Sequence, residues 1–353
     1  MSPTPEPLAA RLGCYVVPGA APDPRRALDE AAEAERLGLA AVWIGERYDS
    51  KDLPSLAGAI SQVTERVRIG AAVTHPGLRH PMVLASMGQT LQALTGGRFA
   101  LGLGRSASWR WDAYGVTAPT LRSLEEIAVI LRRLWAGETV DYDGPLGHFP
   151  RLKLAQLLDV SPPALLLASI GPKGLALAGR AYDGVILHPM LSVEGVRRSA
   201  AQVREHAARV GRDPSAVRCV ATVVVAPDLT SERTSLAVNA RAAGYLSVPG
   251  LGDALARANG WSEVDLAAYR DQPLLTTLGG LPADKHLTGE QLVGLSDAMP
   301  SHWLPEAAAT GTGAQCARRL QEYAAAGADE IIVHGSTAGE LAAVVAACEE
   351  VAL

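Results

Sequence analysis

The chain has 353 residues, 32 Lys and Arg against 37 Asp and Glu, a formal net charge of -5 and a 48% hydrophobic content. A chain of this length and apolar content fills a large core without disulfide or metal staples, which excludes a disordered protein. The acidic balance, with no run of like charge, argues against nucleic acid as a partner.

Cys14, Cys219, Cys316 and Cys348 form no CxxC pair and no Cys/His cluster. The expectation is therefore no metal site, no disulfide framework and a cytoplasmic protein. Residues 1–11 read as a Pro-rich N-terminal arm and not as a signal peptide. No apolar stretch approaches the roughly 20 residues of a membrane span, so no membrane partner is expected.

From Leu12 onward, short apolar runs alternate with segments of helical period. Leu12–Val17 reads as the first strand. A helix follows from about Asp23, with Asp23 as N-cap and Pro24 at the first helical position, and stops at Gly38. The second strand is 41–45, a helix covers 53–64, the third strand is 67–73, and a helix covers 82–94. Arg98 to Gly104 is the fourth strand running into a Gly-rich turn. The next helix carries Leu124, Ile127, Ala128, Leu131, Leu134 and Trp135 in one apolar stripe. Strands five to eight are 165–170, 184–188, 219–225 and 330–334, and a last helix places Leu341, Val344, Val345 and Cys348 on one face.

Such near-continuous apolar strands suit a parallel sheet buried on both faces. Eight of them alternating with helices predict a (β/α)8 TIM barrel, with an open doubly wound sheet as the rival. The expectation is one barrel domain over 12–353. Two stretches break the rhythm: a turn-rich excursion over 138–163, and a long insertion over 227–313 between strand seven and the last unit.

In a parallel barrel the residues just past the strand C-termini share one mouth. Here they include Glu46, Arg47, Tyr48, Thr74, His75, Arg105, Ser106, Ser108, the run from Ser169 to Gly174, His188 and His334. One carboxylate among them is too few for a glycosidase, and no His/Asp cluster suits a metallohydrolase. The set suits a site for an electron carrier that brings its own chemistry.

Gly102-Leu103-Gly104-Arg105-Ser106-Ala107 formally fits GxGxxA. A dinucleotide site needs its acid at the end of the next strand, whereas Glu125 and Glu126 lie inside a helix. A tight rim turn, or a close backbone approach that glycine permits, are the other readings. Ala168 to Gly174 joins strand five to a helix starting near Lys173 or Gly174. Helix-start N–H groups, the Ser169 hydroxyl and the Lys173 charge make it a candidate phosphate cradle, or else a plain turn with a solvated lysine. His75 at the end of strand three is a candidate for proton handling or a structural histidine. Trp109 and Trp111 are candidates to wall a pocket, or else core residues.

In order, the segments 35–46, 68–76 with 79–81, 96–104, and 171–174 with 178–184 resemble the bacterial luciferase-like flavin and deazaflavin oxidoreductases, over about Leu12 to Val345. The third-strand loop, the Gly-Pro-Lys turn and Ala258-Asn259-Gly260-Trp261 are similar to methylenetetrahydromethanopterin reductases and other enzymes using coenzyme F420. The resemblance implies that Gly171, Pro172, Lys173 and Gly174 hold the coenzyme phosphate, and Ser169 and Ile170 just before them are further cofactor-binding candidates. It also implies that a bulged third strand (Ala72, Val73, Thr74), with a non-proline cis peptide at Ala72–Val73 and Gly104 beside it, props the ring. It further implies a homodimer.

Glu46, Arg47, His75 and Arg105 are then the candidates for substrate contact or proton handling, the two arginines suiting an anionic or carbonyl small-molecule substrate. Deazaflavin-dependent sugar-phosphate dehydrogenases place His and Glu where this chain has Arg47 and Arg105, and luciferases place His where Arg47 stands. These departures argue against alcohol oxidation by that dehydrogenase mechanism and against luciferase-type oxygen chemistry; the reading is hydride transfer with F420. The alternatives are an FMN-dependent monooxygenase with a partner reductase and a non-catalytic flavin- or deazaflavin-binding protein.

Overall fold

Eleven strands appear in the computed structural model, which describes residues 7–19, 22–106 and 108–350; the side chains of 108–110 and 350 fall outside that description. The strands are β1 (Leu12–Tyr15), β2 (Ala41–Ile44), β3 (Arg68–Thr74), β4 (Phe99–Leu103), β5 (Val140–Gly144), β6 (Gly147–Leu152), β7 (Ala164–Ser169), β8 (Gly184–Leu187), β9 (Arg218–Pro227), β10 (Ala308–Gly311) and β11 (Glu330–His334). The main sheet runs β10-β9-β11-β1-β2-β3-β4-β7-β8, and β8 also pairs with β9. Eight parallel strands thus close into a (β/α)8 barrel, and the doubly wound alternative falls away.

The composition of the strands explains their burial. All residues of β2, β4 and β8 are buried, and in β9 every residue after Arg218 is. Strands covered on both faces need such continuous apolar runs. Between them, helices such as Leu121–Trp135 bury one stripe, including Leu124, Ile127, Leu131 and Leu134.

By internal contacts the chain divides into two compact units. One comprises the described parts of 1–12, 187–201 and 219–353, the other 13–186 and 202–218. In the second unit, β5 and β6 form an antiparallel hairpin in the turn-rich excursion. In the first unit, the insertion is mostly short helices between Ser231 and Ala307.

The structure corrects three sequence-based boundaries. The first helix is Arg26–Arg36, not a helix from Asp23; the Asp23 carboxylate instead accepts from Arg25 N at 3.1 Å in the preceding turn. Gly38 ends it as expected, with φ +76°. Residues 308–311, read as insertion, form β10, parallel to β9; four residues with a Thr-Gly end give too short a pattern to see. Leu8–Arg11 is not a loose arm but a 3-10 turn with Leu8 and Ala9 buried and Arg11 Nε donating to the Asp329 carbonyl at 3.1 Å.

The GxGxxA reading is also settled by packing. A Cβ on Gly102 would collide with the Ala71 carbonyl, and one on Gly104 would lie 2.5 Å from Val73 Cγ2. These glycines admit the neighbouring strand β3. Ala107 lies outside the described residues.

Candidate functional site

Glu46 follows β2 and its side chain is wholly buried. Its Oε1 accepts from Leu53 N at 3.1 Å. Its Oε2 accepts from Thr74 Oγ1 at 2.9 Å and from Arg79 Nε and Nη2 at 3.1 and 2.9 Å. A carboxylate taken out of water needs such partners, and here four donors provide them. Arg79 also pairs with Asp52 at 2.9 Å and lies over the Tyr48 ring at 5.6 Å. Burial pulls the Arg79 pKa down, but Asp52 and Glu46 outweigh it and the net shift is upward.

Tyr48 Oη lies 3.1 Å from Thr74 Oγ1 and accepts from His75 N at 3.1 Å. Thr74 has one hydroxyl hydrogen and gives it to Glu46, so Tyr48 is the donor to Thr74. Burial raises the Tyr48 pKa. A chain of hydrogen bonds thus runs Tyr48 to Thr74 to Glu46 across the ends of β2 and β3.

His75 is 5% exposed. Its Nδ1 lies 3.2 Å from the Gly104 carbonyl. A carbonyl only accepts, so Nδ1 carries the hydrogen. The Trp111 ring stands edge-on to His75 at 6.0 Å and is itself buried; the Trp109 side chain lies outside the described residues. The Ala72–Val73 peptide is cis, as the resemblance implied, and the register of β3 against β4 shifts between Ala71 and Thr74. Tyr15 Oη donates to the Ala72 carbonyl at 3.0 Å.

After β7, the helix Pro172–Ala181 starts from an extended Gly171. The amides of Gly174 and Leu175 both bond back to the Gly171 carbonyl at 3.0 Å, and Pro172 has none to give. Lys173 N is then the donor of the first turn that points outward. A Cβ on Gly174 would overlap Ser169 Oγ, whereas nothing lies near Gly171. This is a tight turn with an open, glycine-lined face, and Lys173 is exposed beside it.

The remaining candidates are placed differently. Arg47 is half-buried, with its carbonyl bonded to Lys51 N at 2.8 Å. Arg105 is exposed, next to Ser106 at φ +63°. Neither lines the cavity of about 390 Å³ bounded by Glu46, Tyr48, Asp49, Ser50, Lys51 and Asp52.

The other unit carries polar groups of its own. Tyr245, from the insertion helix Asn239–Ser247, stands edge-on to His188 at 4.9 Å and has its Oη 3.5 Å from His334 Nε2. Burial lowers the His188 pKa to about 4, opposed by its 2.7 Å bond to the Pro189 carbonyl. Asn259 accepts from Ser192 N and donates to the Met190 carbonyl, both at 2.8 Å, which holds Met190 at φ +68°. After β11, Glu340 Oε2 accepts from Thr337 N at 2.7 Å and pairs with Arg233 at 3.3 Å.

Arg79, Lys51 and Tyr245 were not singled out from sequence. Arg79 stood in the third-strand loop that carried the resemblance. Lys51 and Tyr245 belong to no pattern, and only the fold brings them to their partners.

An eight-stranded parallel barrel thus carries a cis bulge in β3, a polar network across the ends of β2 and β3 and a glycine-lined turn after β7. The family model for luciferase-like monooxygenases matches residues 8–330, and the chain belongs to that family. It is 34% identical over 189 residues to 5,10-methylenetetrahydromethanopterin reductase of Methanolobus tindarius, covering 52% of this chain and 56% of that one. It is 34% identical over 178 residues to F420-dependent glucose-6-phosphate dehydrogenase of Kineococcus radiotolerans, covering 46% and 52%. The chain thus spans about half the length of these curated relatives. The solved coenzyme F420-dependent tetrahydromethanopterin reductase of Methanopyrus kandleri superposes with a TM-score of 0.77 at 17% identity, covering 95% of this chain and 97% of that one, a likeness of fold. Among the described residues, no helix is long and apolar enough to cross a membrane and no group of three or more His, Cys, Asp or Glu could hold a metal ion.

Proposed function

We propose that the protein is an oxidoreductase that moves a hydride between coenzyme F420 and a small organic substrate. The observation that carries this reading is the turn after β7. Gly174 fits only because it has no Cβ, Gly171 leaves its face open, and Lys173 adds an amide and a charge. Ser169 to Gly174 would hold the coenzyme phosphate there. The names of the relatives favour F420 over FMN.

Once bound, the deazaflavin would supply the hydride donor or acceptor. The chain's own part is positioning and charge. Ala72, Val73 and Thr74 would prop the ring, with Gly104 beside them. His75, at the end of β3, would contact the substrate or handle a proton. Arg47 and Arg105 would meet an anionic or carbonyl group of the substrate. Glu46, with four donors already on its carboxylate, would act by holding Thr74 and Arg79.

The test is a binding titration with F420, FMN and NADPH side by side. F420 is expected to bind in the micromolar range or tighter. Binding of FMN with no binding of F420 would overturn the reading and favour a monooxygenase with a partner reductase. Binding of F420 with no turnover across a broad substrate panel would favour a non-catalytic binding protein.

We also propose a cytoplasmic homodimer. Four buried free cysteines fit a reducing compartment. An apolar groove lined by Pro54, Met82, Val83, Met87, Leu91 and Leu94, with Val83 and Leu94 half exposed, supports self-association. Light scattering of the wild type and of Val83→Glu tests it: a monomeric wild type overturns the dimer.

A further inference from the structure

Lys51 lies in the loop between β2 and the helix Leu53–Ile60, is 8% exposed and takes no part in the reading above. Its Nζ donates to the Val17 carbonyl, just past β1. The Val17 amide donates to Glu30 Oε2 at 2.8 Å. Val17 has φ +38°, a conformation that a β-branched residue rarely adopts. A lysine and a glutamate therefore clasp both backbone groups of one residue held in the left-handed region at the strand end.

A buried ammonium has three N–H donors to satisfy. Among the described residues, the Lys51 side chain has one hydrogen-bond acceptor, the Val17 carbonyl. A neutral amine loses little in that setting: one N–H serves Val17 and the lone pair remains. Beside it is the cavity of about 390 Å³ that Lys51 itself helps to line.

We propose that Lys51 is an acylation site for small acyl phosphates or acyl thioesters. The amine nitrogen attacks the acyl carbon and an amide C–N bond forms. The acyl C–O or C–S bond breaks, phosphate or thiol leaves, and the surplus amine proton passes to solvent. The acyl group enters the adjoining cavity. The product has lost the lysine charge and keeps a single N–H, which still serves the Val17 carbonyl.

Desolvation, with the Arg47 charge second, lowers the Lys51 pKa to about 8, against Glu30 and Glu46. The chain has three other lysines, Lys153, Lys173 and Lys285, all exposed. They serve as internal controls, because exposure alone favours them.

The experiment treats the full native chain with acetyl phosphate at pH 8 and pH 9.5 and follows acetylation of the four lysines by peptide mass spectrometry. At pH 8, Lys51 is expected to react fastest. Between pH 8 and 9.5 its rate should about double, because half of it is already neutral. An ordinary lysine, with a pKa of about 10.4, should speed up more than tenfold. The proposal fails if Lys51 lags behind all three exposed lysines at pH 8, or if its rate climbs tenfold with theirs. No coenzyme enters the test, so its outcome is separate from the fate of the F420 assignment.

Discussion

Arg79 donates through both Nε and Nη2 to a single oxygen, Oε2, of the wholly buried Glu46 carboxylate. The pair is worth most when one partner is removed, because the other is then left charged and unmatched. Arg79→Ala should lower stability by about 3 kcal/mol. Arg36→Ala, which breaks an exposed surface pair with Glu33, should cost far less, because solvent screens that pair. Urea unfolding of both variants checks the contrast; equal small losses would show that Glu46 does not depend on Arg79.

His188 makes acid the harmful direction. Burial depresses its folded pKa to about 4, against roughly 6.5 in the unfolded chain. Between those values the unfolded state binds more protons, so stability falls as pH drops below about 6.5. The loss should approach 2 kcal/mol at pH 5, at about 1.4 kcal/mol per pH unit. His188→Gln should flatten the pH dependence of the urea midpoint between pH 7 and 5. An unchanged slope would show that another group governs acid lability.

The barrel was legible in the sequence because its signal is local. Runs such as Ala41–Ile44 and Gly184–Leu187 are apolar throughout, and Gly38 stops its helix by conformation alone. The glycine-rich turn after β4 misled in form, since GxGxxA describes spacing and not what approaches the glycines. That the neighbour is β3, not a ligand, is a fact of strand pairing. Glu46, Thr74 and His75 could be named because they fall at strand ends. The partners that decide their roles could not: Arg79 reaches Glu46 across 33 positions. Asn259 reaches Met190 across 69, and no periodicity encodes such pairs.

Asn259 holds the turn after β8 through two buried hydrogen bonds, to Ser192 N and the Met190 carbonyl. Asn259→Ala leaves a donor and an acceptor without partners and releases Met190 from its left-handed conformation. The expected loss is about 2 kcal/mol, at roughly 1–3 kcal/mol for each buried group left unsatisfied. Asn259→Asp keeps the acceptor and should lose part of that. A thermal unfolding series checks the order, and a neutral Asn259→Ala would show that the turn holds itself.

The cradle after β7 makes the sharpest prediction about binding. Gly174→Ala forces a methyl group against Ser169 Oγ and crowds the turn from within, while Gly171→Ala meets nothing. Gly174→Ala should weaken F420 binding at least tenfold. Lys173→Ala should weaken it about fivefold at low salt and less at high salt, because an exposed charge is screened. The double variant Ser169→Ala with Gly174→Ala removes the overlapping hydroxyl and should recover part of the loss. Fluorescence titration with F420 at two ionic strengths separates these terms. If Gly174→Ala and Lys173→Ala both bind F420 as the wild type does, the phosphate lies elsewhere and the assignment of this turn is lost.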